Sequence, residues 1–219
     1  ELPGMDYALT ANGARIIETR TGKVLEEHLL SKEAAKKAIA IGRKYDTLLE
    51  VYFDGQGYAQ KDEIAQVRKY HKNPNMWDYF LRTRIAVDSL EDLLDEKEGN
   101  LDKVQMLFAD MEEREEAWKE LEREGVFELV GSLQYNIEIN AVGVNKGTGL
   151  VNLGKMLGIR REEIMACGDG DNDIAMLKEV GFGVAMANAE EKVKAVADYI
   201  TESNNDEGVA KAIEKFVLK

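Results

Sequence analysis

Short apolar runs recur along the chain with two different periods, and turn residues separate them. Tyr7 to Thr10 is an apolar run closing at Asn12-Gly13, which predicts a strand entering a turn. Arg15–Thr19 and Val24–Leu29 flank Thr21-Gly22 and predict a hairpin. Ser31 is placed to cap a helix running to Lys44, with Ala34, Ala35, Ala38 and Ile41 on one face. Leu48 to Phe53 alternates as a strand does, and Asp54-Gly55 turns it toward Gly57-Tyr58.

The middle of the chain changes character. Residues 62–84 are polar and aromatic and predict short helices. Ser89 is a second candidate cap, followed by Leu90, Leu93 and Leu94 at helical spacing. Val104–Phe108 and Phe127–Gly131 predict strands, and between them Met111–Arg123 predicts a charged helix that buries Trp118 and Leu121.

The last third is a plainer alternation of helix and strand. Helices are predicted over 146–157, 174–179, 190–197 and 207–216, and strands over 182–185 and 199–200. Ile164–Cys167 is short and wholly apolar, as a parallel strand covered on both faces should be. The pattern as a whole predicts an α/β fold.

Composition narrows the function classes. The chain has 219 residues and a formal net charge of −13. Such an acidic protein lacks the clustered Lys and Arg that a phosphate backbone requires, which argues against nucleic acid. A local positive pocket for a small anion is still compatible with it. The single cysteine, Cys167, rules out a disulfide within the chain and suits the reducing cytoplasm. No apolar run approaches the roughly 20 residues of a membrane-spanning helix.

Chemistry concentrates in Gly168-Asp169-Gly170-Asp171-Asn172-Asp173, between the apolar strand and a helix. Ligands of open α/β sheets sit at the carboxyl ends of strands. Three carboxylates on one such loop repel unless a cation neutralises them, and hard oxygen donors suit Mg²⁺. The competing reading is a solvated acidic turn with Asp173 as a helix cap. An EF-hand is excluded: Asp169, Asp171 and Asp173 fit its first positions, but Ile174 stands where its glycine belongs and Val180 where its bidentate Glu belongs. Lys146 stands at the start of a helix, where a cation opposes the helix dipole unless an anion is bound. It lies 23 residues before Asp169, one helix and one strand away. Asn188, just after a strand, suits a helix cap as well as a phosphate contact, and Asn12 suits a turn first and a ligand second.

Ala11-Asn12-Gly13-Ala14, Asn145-Lys146-Gly147, the run from Gly168 to Leu177, Val184 to Ala189 and Ser203 to Ala210 together resemble the haloacid dehalogenase superfamily, in its Cof-type sugar-phosphatase branch. The resemblance implies a Rossmann-like core over 1–28 and 135–219 with an α/β cap inserted over 29–134. It also implies Mg²⁺-dependent hydrolysis of small phosphorylated metabolites, sugar phosphates foremost, through an aspartyl phosphate. In that scheme Asp169 binds Mg²⁺, Asp173 supports it directly or through water, and Lys146 holds the transferring phosphate. Asn172, Asn188 and Asn12 order the loop and the phosphate. The family opens with Asp-x-Asp-Gly-Thr, and no such motif occurs here: Tyr52 precedes Asp54-Gly55 where the nucleophile should be, and Asn172 follows Asp169-Gly170-Asp171. The expectation is therefore that an N-terminal segment bearing the nucleophile is missing and acts as a partner, and that this chain alone is inactive. A phosphomutase and a catalytically dead phospholigand-binding or partner-binding protein are the alternatives.

Overall fold

A computed structural model of the protein describes residues 4–218. Among them the strands form three sheets. The first is antiparallel: β1 (Tyr7–Thr10), β2 (Arg15–Glu18) and β3 (Lys23–Glu27). The predicted hairpin is there, with Ile17 opposite Val24.

The second sheet has six strands. In chain order they are β4 (Thr47–Phe53), β5 (Gln56–Gln60), β6 (Ile85–Val87), β7 (Lys103–Phe108), β8 (Glu128–Val130) and β9 (Asn136–Asn140), and in space they run β6-β5-β4-β7-β9-β8. Helices α1 (Lys32–Gly42), α5 (Leu90–Glu96) and α6 (Met111–Glu124) cover one face. Leu49, Val51, Phe53, Val104, Met106, Ile137 and Ile139 are buried there against Ala38, Ile39, Leu94 and Leu121. Each such side chain contributes about 1.5–3 kcal/mol on burial. The caps read from sequence are formed: Ser31 accepts from Ala34 N and Ser89 from Asp92 N.

The other face is divided. The short helices α2 (Lys61–Ala65), α3 (Val67–Tyr70) and α4 (Trp77–Thr83) cover its apolar part, where Leu48, Ala59 and Leu107 meet Val67, Tyr70 and Phe80. Its remainder is polar yet buried: Glu50, Gln105, Glu138 and Asn140. Strand β9 pairs with β7 and β8, so the six-stranded sheet over the segment expected as an insert, 29–134, runs on to Asn140. The polar side chains of Asn136-Ile137-Glu138-Ile139-Asn140 are buried with the apolar ones, a burial that single-sequence patterning does not expect.

The third sheet is parallel and in register: β10 (Met165–Gly168), β11 (Phe182–Ala185) and β12 (Tyr199–Ile200). Helices α7 (Lys146–Met156), α8 (Ile174–Glu179), α9 (Glu191–Lys194) and α10 (Gly208–Phe216) accompany it. Helix α9 is shorter than the predicted 190–197 because the chain turns down into β12, where Asp198 accepts from Gly183 N. Among the described residues no helix is long and apolar enough to cross a membrane.

Candidate active site

The acidic loop leaves the carboxyl end of β10 and folds back on one side chain. Asp173 accepts from Asp169 N at 2.9 Å and Gly170 N at 3.0 Å through Oδ2. Its Oδ1 accepts from Lys146 Nζ at 2.6 Å. Asp173 is buried, and it does not cap α8. Gly168 makes this fold possible, because a Cβ there would stand 2.5 Å from that of Asp173. Helix α7 is brought close in the same way: a Cβ on Gly147 would lie 2.8 Å from the Ala175 carbonyl oxygen. Asn145 caps α7 with a full capping box, and Lys146 is the first residue inside it. Lys146, set against its own helix dipole, thus has a buried carboxylate as partner.

Asp169 is exposed at the tip, and its Oδ2 accepts from Asn188 Nδ2 at 2.9 Å. Asn188 in turn accepts from Asn204 N at 2.9 Å, tying the loop after β11 to the loop after β12. Asp171 turns the other way, to Lys192 at 2.5 Å. Asn172 is half-buried beside Gly170.

A cavity of about 630 Å³ opens over this loop. Asp169, Gly170, Asp171, Asn188 and Glu190 line one wall. Lys72, Ser132, Gln134 and Tyr135 of the insert face them. Gln134 donates to Glu190 at 3.2 Å across the gap. Behind the wall the Tyr135 hydroxyl meets His71 Nδ1 at 3.2 Å, and burial, with Arg84 nearby, lowers the His71 pKa and keeps the ring neutral at pH 7. Burial also draws the Arg114 guanidinium below its ordinary value, with Asp171 opposing. The Cys167 thiol is pushed up by burial, so it is no ready nucleophile.

Lys146, Asp169, Asn172, Asp173 and Asn188 are therefore gathered at one place. Asn12 is engaged elsewhere. Its amide donates to Glu138 Oε2 at 2.8 Å and Asn140 Oδ1 at 3.0 Å, so both hydrogens expected to serve phosphate are spent on β9. The roles of Asp169 and Asp173 also separate. Both oxygens of Asp173 are committed within the loop, whereas Asp169 Oδ1 has no bonded partner among the described residues. That one hard oxygen at the cavity fits a Mg²⁺ site completed by water and substrate phosphate. Among the described residues no group of three or more His, Cys, Asp or Glu converges to hold a metal unaided. Lys72, Gln134 and Tyr135 carry no local motif, and only the packing of the insert brings them to the loop.

The family model for haloacid dehalogenase-like hydrolases matches residues 1–213. The chain belongs to that family. A B. subtilis structure described as a haloacid dehalogenase-like hydrolase superposes with a TM-score of 0.84 at 26% identity, over 98% of this chain and 80% of the other. BT1666 of Bacteroides thetaiotaomicron, described among the phosphatases of this superfamily, gives 0.78 at 26%, over 99% and 75%. In sequence, the Bacillus subtilis 5-amino-6-(5-phospho-D-ribitylamino)uracil phosphatase YcsE is 50% identical over 105 residues, 48% of this chain and 42% of YcsE. The match thus spans less than half the length of that relative. The family and the α/β architecture implied by the sequence motifs are both found.

Proposed function

We propose that this chain carries the phosphate-handling and metal-holding side of a Mg²⁺-dependent phosphatase acting on small phosphorylated metabolites, sugar and sugar-alcohol phosphates foremost. The observation that carries the proposal is the array at the carboxyl end of a parallel sheet, in which Asn188 and Asp169 line a cavity and Asp173 pairs with Lys146 behind them. The relative YcsE, named for a phosphorylated ribityl compound, supports the substrate class.

Asp169 would hold the cation, oriented by Asn188, while Asp173 fixes the loop and steadies Lys146. Bound Mg²⁺ would supply a Lewis acid against the phosphoryl oxygens. Lys146 adds a second positive charge beside them, and such preorganised charge is the chief catalytic contribution in phosphoryl transfer. The cavity wall from the insert excludes water and meets the leaving group. In this proposal phosphorus is attacked by an aspartate that residues 1–219 do not supply, which displaces the alcohol and leaves an aspartyl phosphate for water to hydrolyse. In this proposal residues 29–140 act as the cap.

The test compares residues 1–219 with the same chain extended by an apolar strand ending in Asp-x-Asp-Gly-Thr. Phosphate release from sugar phosphates with Mg²⁺ is expected from the extended protein only. Equal release from both, or none from either, overturns the proposal.

A further inference from the structure

The turn Ala11-Asn12-Gly13 has a positive φ at three successive residues, +48°, +60° and +94°. Glycine accepts that conformation, but alanine does so only under strain, and strain of this kind persists where the surroundings enforce it. Two sets of contacts enforce it here. On one side Asn12 donates to Glu138 and Asn140, and Asn140 Nδ2 returns a hydrogen bond to the Ala11 carbonyl at 3.0 Å. Asn12, Glu138 and Asn140 are all buried, at 8%, 4% and 0% exposure. Glu138 is held besides by Lys103 at 2.5 Å and by Ser132.

On the other side Gly13 packs backbone to backbone on the first turn of α7. A Cβ on Gly13 would lie 2.8 Å from the Asn145 carbonyl oxygen, and one on Gly149 would lie 2.9 Å from Gly13 Cα. Lys146 starts that turn. An unbroken line of short contacts therefore runs from the insert's sheet, through Asn12 and Gly13, to the helix that bears Lys146.

We propose that Asn12 is a positioning residue: its clasp on Glu138 and Asn140 fixes the insert against the turn that seats α7, so that the placement of the insert and of Lys146 are set together. The structural part stands on contacts alone, and its catalytic consequence rests on the function proposed above.

Hydrogen exchange of residues 1–219 without substrate tests it. Asn12→Ala removes both donated bonds, and exchange over 136–140 and 147–149 should rise about tenfold, as expected for the loss of a buried, charge-assisted hydrogen bond. Asn12→Asp sets a carboxylate against Glu138 and should raise it further. Adding Glu138→Gln restores a donor and an acceptor with their order reversed, and exchange should fall back toward the wild-type rate. The clasp is refuted if exchange rises only over 11–14, or if Asn12→Asp with Glu138→Gln exchanges as fast as Asn12→Asp alone. Asn12→Ala, which adds no charge, carries the test where Asn12→Asp does not fold. In the chain extended by the Asp-x-Asp-Gly-Thr strand, with p-nitrophenyl phosphate and Mg²⁺, the same variants should lose kcat with little change in KM, since Asn12 does not touch phosphate; a rise in KM alone would return Asn12 to the phosphate. If the extended protein with Asn12 intact releases no phosphate, the proposed function fails while the exchange measurement still decides the clasp.

Discussion

Asp169 and Asp171 stand two residues apart on one loop, yet their side chains serve different partners. Asp169 reaches the cavity under the amide of Asn188, and Asp171 pairs with Lys192. Calorimetric titration of Mg²⁺ or Mn²⁺ should therefore show binding abolished by Asp169→Asn and largely kept by Asp171→Asn. Equal losses would reject Asp169 as the anchor. Lys146 has one bonded carboxylate, Asp173, and in the proposed function it supplies the cation beside the phosphoryl group. In the extended protein Lys146→Ala should then lower turnover of a small phosphate ester by about 100-fold to 1,000-fold, the magnitude typical of removing one preorganised transition-state contact. Its melting temperature should also fall, because the buried Asp173 carboxylate loses its one bonded cation. Near-normal rates would make it an ordinary surface lysine.

Glycine governs how closely the elements approach one another. A Cβ on Gly147 would run into the backbone of α8, where no side chain can yield. Gly147→Ala should push α7 off α8 and cost about 1–3 kcal/mol, read as a lower denaturant midpoint with an unchanged slope. An unchanged midpoint would show that the two helices separate freely. Strand β9 carries a pH dependence. Burial pushes the Glu138 carboxyl up, but Lys103, Ser132 and Asn12 pull it further down, and the net pKa is below the ordinary 4.5. A carboxyl depressed in the folded state stabilises at pH values above its unfolded pKa, and that contribution is lost as pH falls through the folded one. Asn12→Ala, by removing one of those hydrogen bonds, should narrow the acid range of stability. Acid unfolding curves of the two proteins that superimpose would count against it.

Across the whole molecule Lys72, Ser132, Gln134 and Tyr135 form the cavity wall opposite the acidic loop, and in the proposed function that wall meets the leaving group. In the extended protein, exchanging residues 29–140 for the corresponding segment of a relative should change which sugar phosphates are hydrolysed, while p-nitrophenyl phosphate is still accepted. An unchanged substrate profile would show that selection lies in the loop itself. Among the described residues β10 is hydrogen-bonded along one edge only, to β11. Apolar grooves flank it, one lined by Phe182, Phe216 and Val217 and the other by Leu150, Leu153 and Leu157.

The alternating α/β pattern, the caps at Ser31 and Ser89, the hairpin at Thr21-Gly22 and the acidic loop after β10 were all legible in the sequence. Each is a local matter: hydrophobic period, a capping hydroxyl, a turn residue, or charges too close together to be idle. The family too was legible, because its motifs are short and fall in a fixed order. Three things depended on the tertiary structure. Strand β9 joined the six-stranded sheet with its buried polar side chains partnered 35 to 128 residues away, at Lys103 and Asn12. Asp173 became the keystone of the loop and Asn12 a clasp because hydrogen bonds over such separations leave no trace in local pattern. The cavity's second wall came from the packing of the insert, since residues far apart in the chain share a surface only after the core has decided how the sheets lie.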